Sequence, residues 1–270
     1  MDWKRISSAL IGFPLVVLVL LLGNKIVISI VISLIAIMCM YEYFNAVSKK
    51  AKPIKWIGYL SCLVIAIVSF ISIETLKNII LIGISVIFAI MFFNVVISDM
   101  KKDFQDATYT LFGIIYIVFF LIFFVLIRNL ENGKILIWYP IFIAWGTDVF
   151  AYIFGKRIGK HKFSKISPKK TVEGCIAGTI GAIIVVFIYT FLVNKFTNLD
   201  YSYIYMIIIT LVLSVLSQIG DFTASSIKRY VEIKDYSELI PGHGGMLDRI
   251  DSLLFVAPFA YILFSIGGLF

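Results

Sequence analysis

The chain has 270 residues, of which 61% are hydrophobic and 15% charged, and its formal net charge is +8. Soluble domains average about 45–50% apolar and about 25% charged residues, so this composition excludes an ordinary soluble domain. The charged residues lie in the segments between long apolar runs. This placement favours anionic lipid headgroups or an anionic soluble substrate as partners, and argues against nucleic acid.

Nine apolar segments are long enough to be membrane-spanning helices. Backbone polar groups in lipid must be satisfied within the segment, so the predicted fold is an all-α, polytopic transmembrane helical bundle. The first segment is interpreted as a retained helix, because no convincing small-residue cleavage site of a signal peptide follows it. The predicted spans are residues 6–22, 26–43, 56–73, 78–98, 108–127, 135–154, 174–194, 203–219 and 250–269.

Lysine and arginine are distributed unevenly between the two faces of this nine-span arrangement, with 19 of the 24 on one side. The positive-inside rule therefore predicts a multi-pass protein of the cell (inner) membrane with a cytoplasmic N-terminus and an external C-terminus. Two long loops, residues 155–173 and 220–249, would lie on the cytoplasmic side, where we expect the active site. We accordingly predict scaffold helices in residues 1–130 and a transmembrane catalytic region in residues 131–270.

The first group of candidate residues follows the eighth span. If that helix continues past the membrane boundary, Asp221, Ser225 and Lys228 share one face of it. A carboxylate, a hydroxyl and an ammonium group on one stripe suit a metal-bound phosphate. A solvated helix end with an ion pair at Asp221 would explain the same pattern, so both interpretations stay open.

A second group lies in and after the glycine-rich turn at residues 242–245. Its glycines allow successive backbone N–H groups to face an anion. Asp248 and Asp251 share a face at the start of the ninth helix and are hard oxygen ligands of the kind that Mg²⁺ prefers. Helix capping is the alternative role for these carboxylates. His243 is expected to contact a phosphate or act as an acid/base group, unless it only stabilises the turn.

Asp148 lies inside the sixth span, about 9 Å from its cytoplasmic end by helical rise. An unpaired carboxylate at that depth is costly, so Asp148 should face the bundle interior and have a partner. A neutral aspartic acid that only joins neighbouring helices is the alternative. The loop 155–173 supplies basic residues for nucleotide phosphates or for anchoring on anionic lipid, and Thr171 with Glu173 is expected to order it.

These residues resemble the signature of the phosphatidate cytidylyltransferases, also called CDP-diacylglycerol synthases. The likeness covers about the C-terminal half of the chain, and the first 130 residues match only as generic spans. Its elements here are Ser225, Lys228-Arg229, Lys234-Asp235, Pro241, His243-Gly244-Gly245 and Asp248-Arg249-Ile250-Asp251, with Gly220-Asp221, the Asp148 region and Ser167-Pro168-Lys169-Lys170-Thr171 upstream.

The resemblance implies a nucleotidyltransferase of phospholipid biosynthesis that converts CTP and phosphatidate to CDP-diacylglycerol and pyrophosphate. It implies Mg²⁺ as cofactor, with room for a second cation, and metal binding by Asp221 and Asp248, helped by Asp148 and Asp251. Five residues are predicted to be catalytic: Asp221, Asp248, Lys228, Arg229 and His243. Ten are predicted to bind substrate: Ser225, Lys234, Gly242, Gly244, Gly245, Arg249, Ser167, Lys169, Lys170 and Thr171.

The expected partners are CTP and membrane phosphatidate, without nucleic acid, and a homodimer is compatible with the sequence. Two alternatives stay open at this point. A CTP-dependent lipid kinase of similar architecture would release CDP instead of pyrophosphate. A transporter of an anionic solute would need polar residues through to the outer face, whereas the polar positions here gather at the cytoplasmic side.

Overall fold

The structure, a computed structural model, describes residues 3–71, 73–98, 103–164, 166–239, 242 and 244–266. In these residues nine helices follow one another without any β-strand, and an isolated antiparallel bridge joins Lys162 to Thr171. The predicted all-α fold is therefore confirmed. The helices are α1 (Trp3–Leu22), α2 (Lys25–Val47), α3 (Lys55–Ile67), α4 (Ile73–Ile97), α5 (Phe104–Asn129), α6 (Gly133–Ile158), α7 (Val172–Phe196), α8 (Tyr203–Tyr230) and α9 (Leu247–Ile266).

Six of these helices, α2 and α5 to α9, are long and apolar enough to cross a membrane, judged on the described residues. Two other apolar helical stretches, Lys55–Phe70 and Ser85–Ile97, are shorter. A spanning helix needs about 20 consecutive apolar residues. The chain is therefore a polytopic membrane protein, and the count of nine spans stays a prediction.

Polar side chains fix the first residues of several helices. The Asn24 side chain accepts a backbone N–H in the first turn of α2, and Thr171 does the same for α7. At the start of α5, Asp103 and Asp106 each accept the other's backbone N–H and form a capping box. Such caps satisfy donors that the helix itself leaves unpaired.

The chain folds into two compact units. The first unit comprises residues 1–129 and 230–249, and the second comprises residues 130–229 and 250–270. The segment 230–249 therefore belongs with the N-terminal helices, although it lies within the predicted catalytic region. The functional division at residue 130 stays a prediction.

Each unit has its own buried centre. In the first unit Tyr43 and Phe44 of α2 are at most 1% exposed, and the Tyr43 hydroxyl donates a hydrogen bond to the carbonyl of Tyr109 (2.9 Å). In the second unit Tyr139 is fully buried, and its hydroxyl lies 3.2 Å from that of Thr190. Both buried tyrosine hydroxyls are thus hydrogen-bonded, as burial of a polar group requires.

Candidate active site

An ion pair between α8 and the loop before α7 is the centre of the candidate site in the second unit. The Asp221 carboxylate contacts the Lys170 ammonium group, and their side chains are 25% and 21% exposed. The Ser225 hydroxyl donates a hydrogen bond of 3.4 Å to Asp221, because α8 continues past the predicted end at residue 219. The predicted polar stripe on α8 is therefore present.

Two further carboxylates belong to the same neighbourhood of the second unit. Asp251 of α9 is buried, and it accepts the backbone N–H of Ser252 (2.7 Å). The Ser252 hydroxyl in turn donates a hydrogen bond of 3.2 Å to Asp148, which confirms the expectation that Asp148 has a partner. Asp251 also interacts electrostatically with Asp221, Lys228 and Asp148. Three predicted metal ligands are thus neighbours in the second unit.

The loop that carries Lys170 is held in place by local hydrogen bonds. Glu173 accepts the backbone N–H of His161 (3.3 Å), and its carboxylate lies 2.6 Å from Nδ1 of that ring. The N–H of Phe163 donates to the carbonyl of Lys170 (3.0 Å), and Thr171 caps α7. The expectation that Thr171 and Glu173 order this loop is confirmed, and the order of the loop fixes where Lys170 points.

The remaining predicted residues of this loop and of α8 occupy more open positions. The Ser167 carbonyl accepts the N–H of Lys170 (3.0 Å) and closes a turn. Lys169 is exposed. Arg229 is also exposed, and its Nε donates a long hydrogen bond of 3.5 Å to the carbonyl of Ile166. These positions leave the two cationic side chains accessible to a soluble anion.

A largely apolar cleft of about 560 Å³ lies beside the ion pair. Phe222 lines this cleft, and the Lys170 ammonium group lies 4.6 Å from the centroid of its ring. The ring of Phe163 stacks on the ring of Phe222 at a centroid distance of 4.8 Å. Other lining residues are Ile166, Cys175, Val215 and Ile219. An apolar surface and a cation therefore adjoin each other at Phe222.

The predicted residues of the glycine-rich turn lie in the first unit. Gly242 and Gly244 have φ values of 76° and 83°, which L side chains rarely adopt. One Asp248 oxygen accepts the N–H of Tyr236 (2.9 Å) and that of Gly245 (3.1 Å). Both donors lie before the first residue of α9, so Asp248 fastens Tyr236 and the turn to the start of this helix, and its metal-binding and capping roles both stay predictions.

Two exposed cations accompany this turn, and one predicted residue cannot be placed. Lys234 and Arg249 are exposed. His243 lies outside the described residues.

Near the end of α8, Lys50 donates a 3.0 Å hydrogen bond to Glu232, and this bond together with the charge of Lys50 lowers the pKa of Glu232. Within the first unit, the first residues after α8 are thus bound to the residues that follow α2.

The sequence analysis did not identify one residue that contacts this turn. Glu42 of α2 is fully buried, and its carboxylate accepts the N–H groups of Met246 and Leu247, both at 2.8 Å. The sequence does contain a signal, because Glu42 is the only charged residue between positions 26 and 48. The argument applied to Asp148, that a charge within a span must have a purpose, applies equally to Glu42.

The carboxylate oxygens of the second unit are the type of ligand that Mg²⁺ prefers. Among the described residues, no three His, Cys, Asp or Glu side chains are close enough together to hold a metal ion by themselves. Mg²⁺ commonly takes one or two protein carboxylates and completes its shell with substrate phosphates and water. Asp221, Asp148 and Asp251 therefore suit a cation that arrives with a nucleotide better than a cation enclosed by protein alone.

Comparison with known proteins identifies the family. A model of the cytidylyltransferase family matches residues 3–267, which is nearly the whole chain. The chain belongs to the cytidylyltransferase family. A member of this family is an enzyme that transfers a nucleotidyl group, so the transporter alternative does not hold.

Similar proteins extend the match beyond the C-terminal motifs. A phosphatidate cytidylyltransferase of Staphylococcus haemolyticus is 32% identical over 260 residues, covering 96% of this chain and 97% of the relative. One of Bacillus subtilis is 41% identical over 165 residues, 60% of each chain. One of Staphylococcus aureus is 38% identical over 169 residues, covering 62% of this chain and 63% of the relative. The family resemblance recognised in the sequence is thereby confirmed.

Proposed function

We propose that this cytidylyltransferase acts on CTP and phosphatidate and produces CDP-diacylglycerol and pyrophosphate. The observation that carries this assignment is the Lys170–Asp221 pair, which adjoins an apolar cleft in a membrane protein of this family. A lipid phosphate needs a cation for its headgroup and an apolar surface for its acyl chains. The two features meet at Phe222.

The reaction requires charge neutralisation and alignment above all. An oxygen of the phosphatidate phosphate attacks the α-phosphorus of CTP, and the bond from that phosphorus to the oxygen bridging to the β-phosphate breaks. Pyrophosphate leaves with the bridging oxygen. The phosphatidate phosphate is already ionised near neutral pH, so no general base is required. Since both reactants are polyanions, positioned cations supply most of the catalysis.

The residues of the second unit divide these tasks. Lys170, Lys228 and Arg229 bind and orient phosphate groups. Asp221, with Asp148 and Asp251, would hold Mg²⁺ that arrives with the nucleotide. When bound, the metal neutralises phosphate charge and acts as a Lewis acid toward the phosphoryl oxygens. Lys170 contacts Asp221, so the ammonium group balances the charge of this carboxylate and holds it in position until the nucleotide arrives.

We also propose that the enzyme lies in the cell membrane with its N-terminus in the cytoplasm and its C-terminus outside. The support is the uneven distribution of lysine and arginine, 19 of 24 of which fall on one side of the nine-span arrangement. This orientation places the loop before α7 and the end of α8 on the side where CTP is available.

The proposal is tested with purified protein, labelled CTP, phosphatidate vesicles and Mg²⁺, with the lipid and the soluble products measured together. We expect labelled CDP-diacylglycerol and pyrophosphate in equal amounts, and far less of both products with Asp221→Asn. Release of CDP with formation of a phosphorylated lipid would instead identify a CTP-dependent lipid kinase. Equal turnover of ATP would also contradict the proposal.

A further inference from the structure

The buried carboxylate of Glu42 makes contacts that α2 itself does not explain. Glu42 is a charged residue within the long apolar helix α2, Lys25–Val47. Its side chain is 0% exposed, so it has lost its hydration. A carboxylate in this position is retained only if other groups compensate for the loss of hydration.

Three donors from the loop before α9 provide this compensation. The N–H groups of Met246 and Leu247 donate to opposite oxygens of Glu42, each at 2.8 Å, and the Ser237 hydroxyl donates at 2.5 Å. All three partners are donors, which matches an ionised carboxylate because it only accepts. Hydrogen bonds to a charged group are stronger than those between neutral groups. Glu42 thereby fixes both ends of the segment from Ser237 to Leu247.

The same carboxylate explains why residue 245 is a glycine. A Cβ atom at Gly245 would lie 2.7 Å from one Glu42 oxygen and 2.9 Å from the other. Distances this short do not occur for real side chains, so the carboxylate occupies the space that a side chain would need. Gly245 also donates its N–H to Asp248. The turn and Glu42 therefore fit each other as a matched pair.

We propose that Glu42 is a positioning residue for nucleotide binding, which acts by holding the end of the glycine-rich turn at Gly245 and the residues that lead into α9, Met246 and Leu247. The inference rests on the proposed function, because it assumes that this turn, with Lys234 and Arg249, contacts the nucleotide phosphates. It also assigns α2, which the sequence suggested was only scaffold, a role in holding residues of the glycine-rich turn within the first unit.

The decisive variant is Glu42→Gln. It preserves the shape of the side chain but turns an –NH₂ group toward backbone N–H donors, so at least one hydrogen bond is replaced by a donor–donor conflict. Glu42→Asp keeps the charge and should recover part of the loss. Glu232→Gln is the matched control, because Glu232 also attaches this loop through Lys50 but has a side chain that is 78% exposed.

Two measurements on folded protein, selected by size-exclusion chromatography, test the inference. Amide hydrogen exchange at residues 245–247 should be faster in Glu42→Gln than in the wild type or in Glu232→Gln. The Kd for CTP should rise about tenfold, since a charge-assisted hydrogen bond is lost. Unchanged exchange would overturn the inference, as would faster exchange with an unchanged Kd, because Glu42 would then only stabilise the fold.

A double-mutant cycle adds an independent criterion. Gly245→Ala should weaken CTP binding strongly in the wild type but little in Glu42→Ala, where the obstructing carboxylate is gone. If the losses of CTP affinity in the two single variants simply add in the double variant, Gly245 and Glu42 are not a matched pair. If the wild type binds CTP but forms no CDP-diacylglycerol, the proposed function fails while these comparisons still decide the role of Glu42. If the wild type does not bind CTP, both proposals fail.

Discussion

Gly220 of α8 lies directly against the backbone carbonyl of Asp251 on α9. A Cβ atom at Gly220 would be 2.6 Å from that oxygen and 3.2 Å from the Cα atom of Ser252. The next residue on α8 is Asp221, and Ser252 is hydrogen-bonded to Asp148. The close approach of the two helices therefore brings three carboxylates of the second unit into one neighbourhood.

Gly220→Ala should separate α8 from α9 and displace Asp221 from Asp251. Backbone atoms cannot yield as a flexible side chain can, so we expect a stability loss of about 1–3 kcal/mol and a fall in kcat/KM of about tenfold or more. Thermal unfolding and initial-rate measurements check these values. Gly83→Ala on α4 is the control, because no described atom lies within 4 Å of a Cβ there. If both variants behave alike, helix contact at Gly220 does not matter.

Asp221→Asn should abolish most turnover while the protein remains in the membrane. Loss of a metal ligand in phosphoryl chemistry costs several kcal/mol, on the order of a hundredfold or more in rate. Rates of the wild type should rise with Mg²⁺ and collapse with chelator. We expect a smaller loss for Asp148→Asn, and the smallest for Asp235→Asn, whose side chain is exposed. A fully active Asp221→Asn enzyme would remove Asp221 from the site.

Asp248→Asn separates the two roles of Asp248 that are still open. One oxygen of Asp248 accepts both hydrogen bonds, so the amide oxygen of asparagine can keep the bonds from Tyr236 and Gly245. A large loss of rate without a loss of stability would therefore report the missing charge and support metal binding, which is the outcome we expect. Near-normal, Mg²⁺-dependent activity would mean that Asp248 has only a structural role at the start of α9.

Hydropathy was enough to predict the helices, whereas the partners of the polar residues depended on how the loops fold back. Each predicted span overlaps a helix, because long apolar runs allow little else in lipid. The pairing of Lys170 with Asp221 was not readable, since it depends on the turn closed by Ser167. The attachment of residues 230–249 to the N-terminal helices was not readable either, because it depends on Glu42, whose partners are far away in sequence.

The orientation in the membrane is tested with reporter fusions at Phe270. The charge distribution predicts an external C-terminus, so a reporter active only outside the cytoplasm should be active there, and a cytoplasmic reporter should be silent. A fusion within the loop 155–173 should give the opposite pattern. A cytoplasmic signal at Phe270 would refute the nine-span arrangement and the predicted external position of the C-terminus.

Lys170 and Lys169 are adjacent lysines that the structure places in different environments, which makes them a matched pair for the last prediction. Lys170 is 21% exposed, pairs with Asp221 and lies over Phe222, whereas Lys169 is exposed. Lys170→Gln removes a positioned cation and leaves the half-buried Asp221 without its partner. Loss of one member of such a pair is costly, because the remaining charge stays poorly solvated.

We expect Lys170→Gln to lower kcat/KM about a hundredfold and Lys169→Gln only a few-fold, since an exposed lysine contributes a screened, long-range attraction. Steady-state rates at two salt concentrations measure both effects. The loss in Lys169→Gln should shrink at high salt, because screening already weakens that lysine in the wild type. The loss in Lys170→Gln should persist, because a contact between partly buried groups is screened much less. Equal losses in the two variants would show that the loop supplies only net charge and that the Lys170–Asp221 contact has no catalytic role.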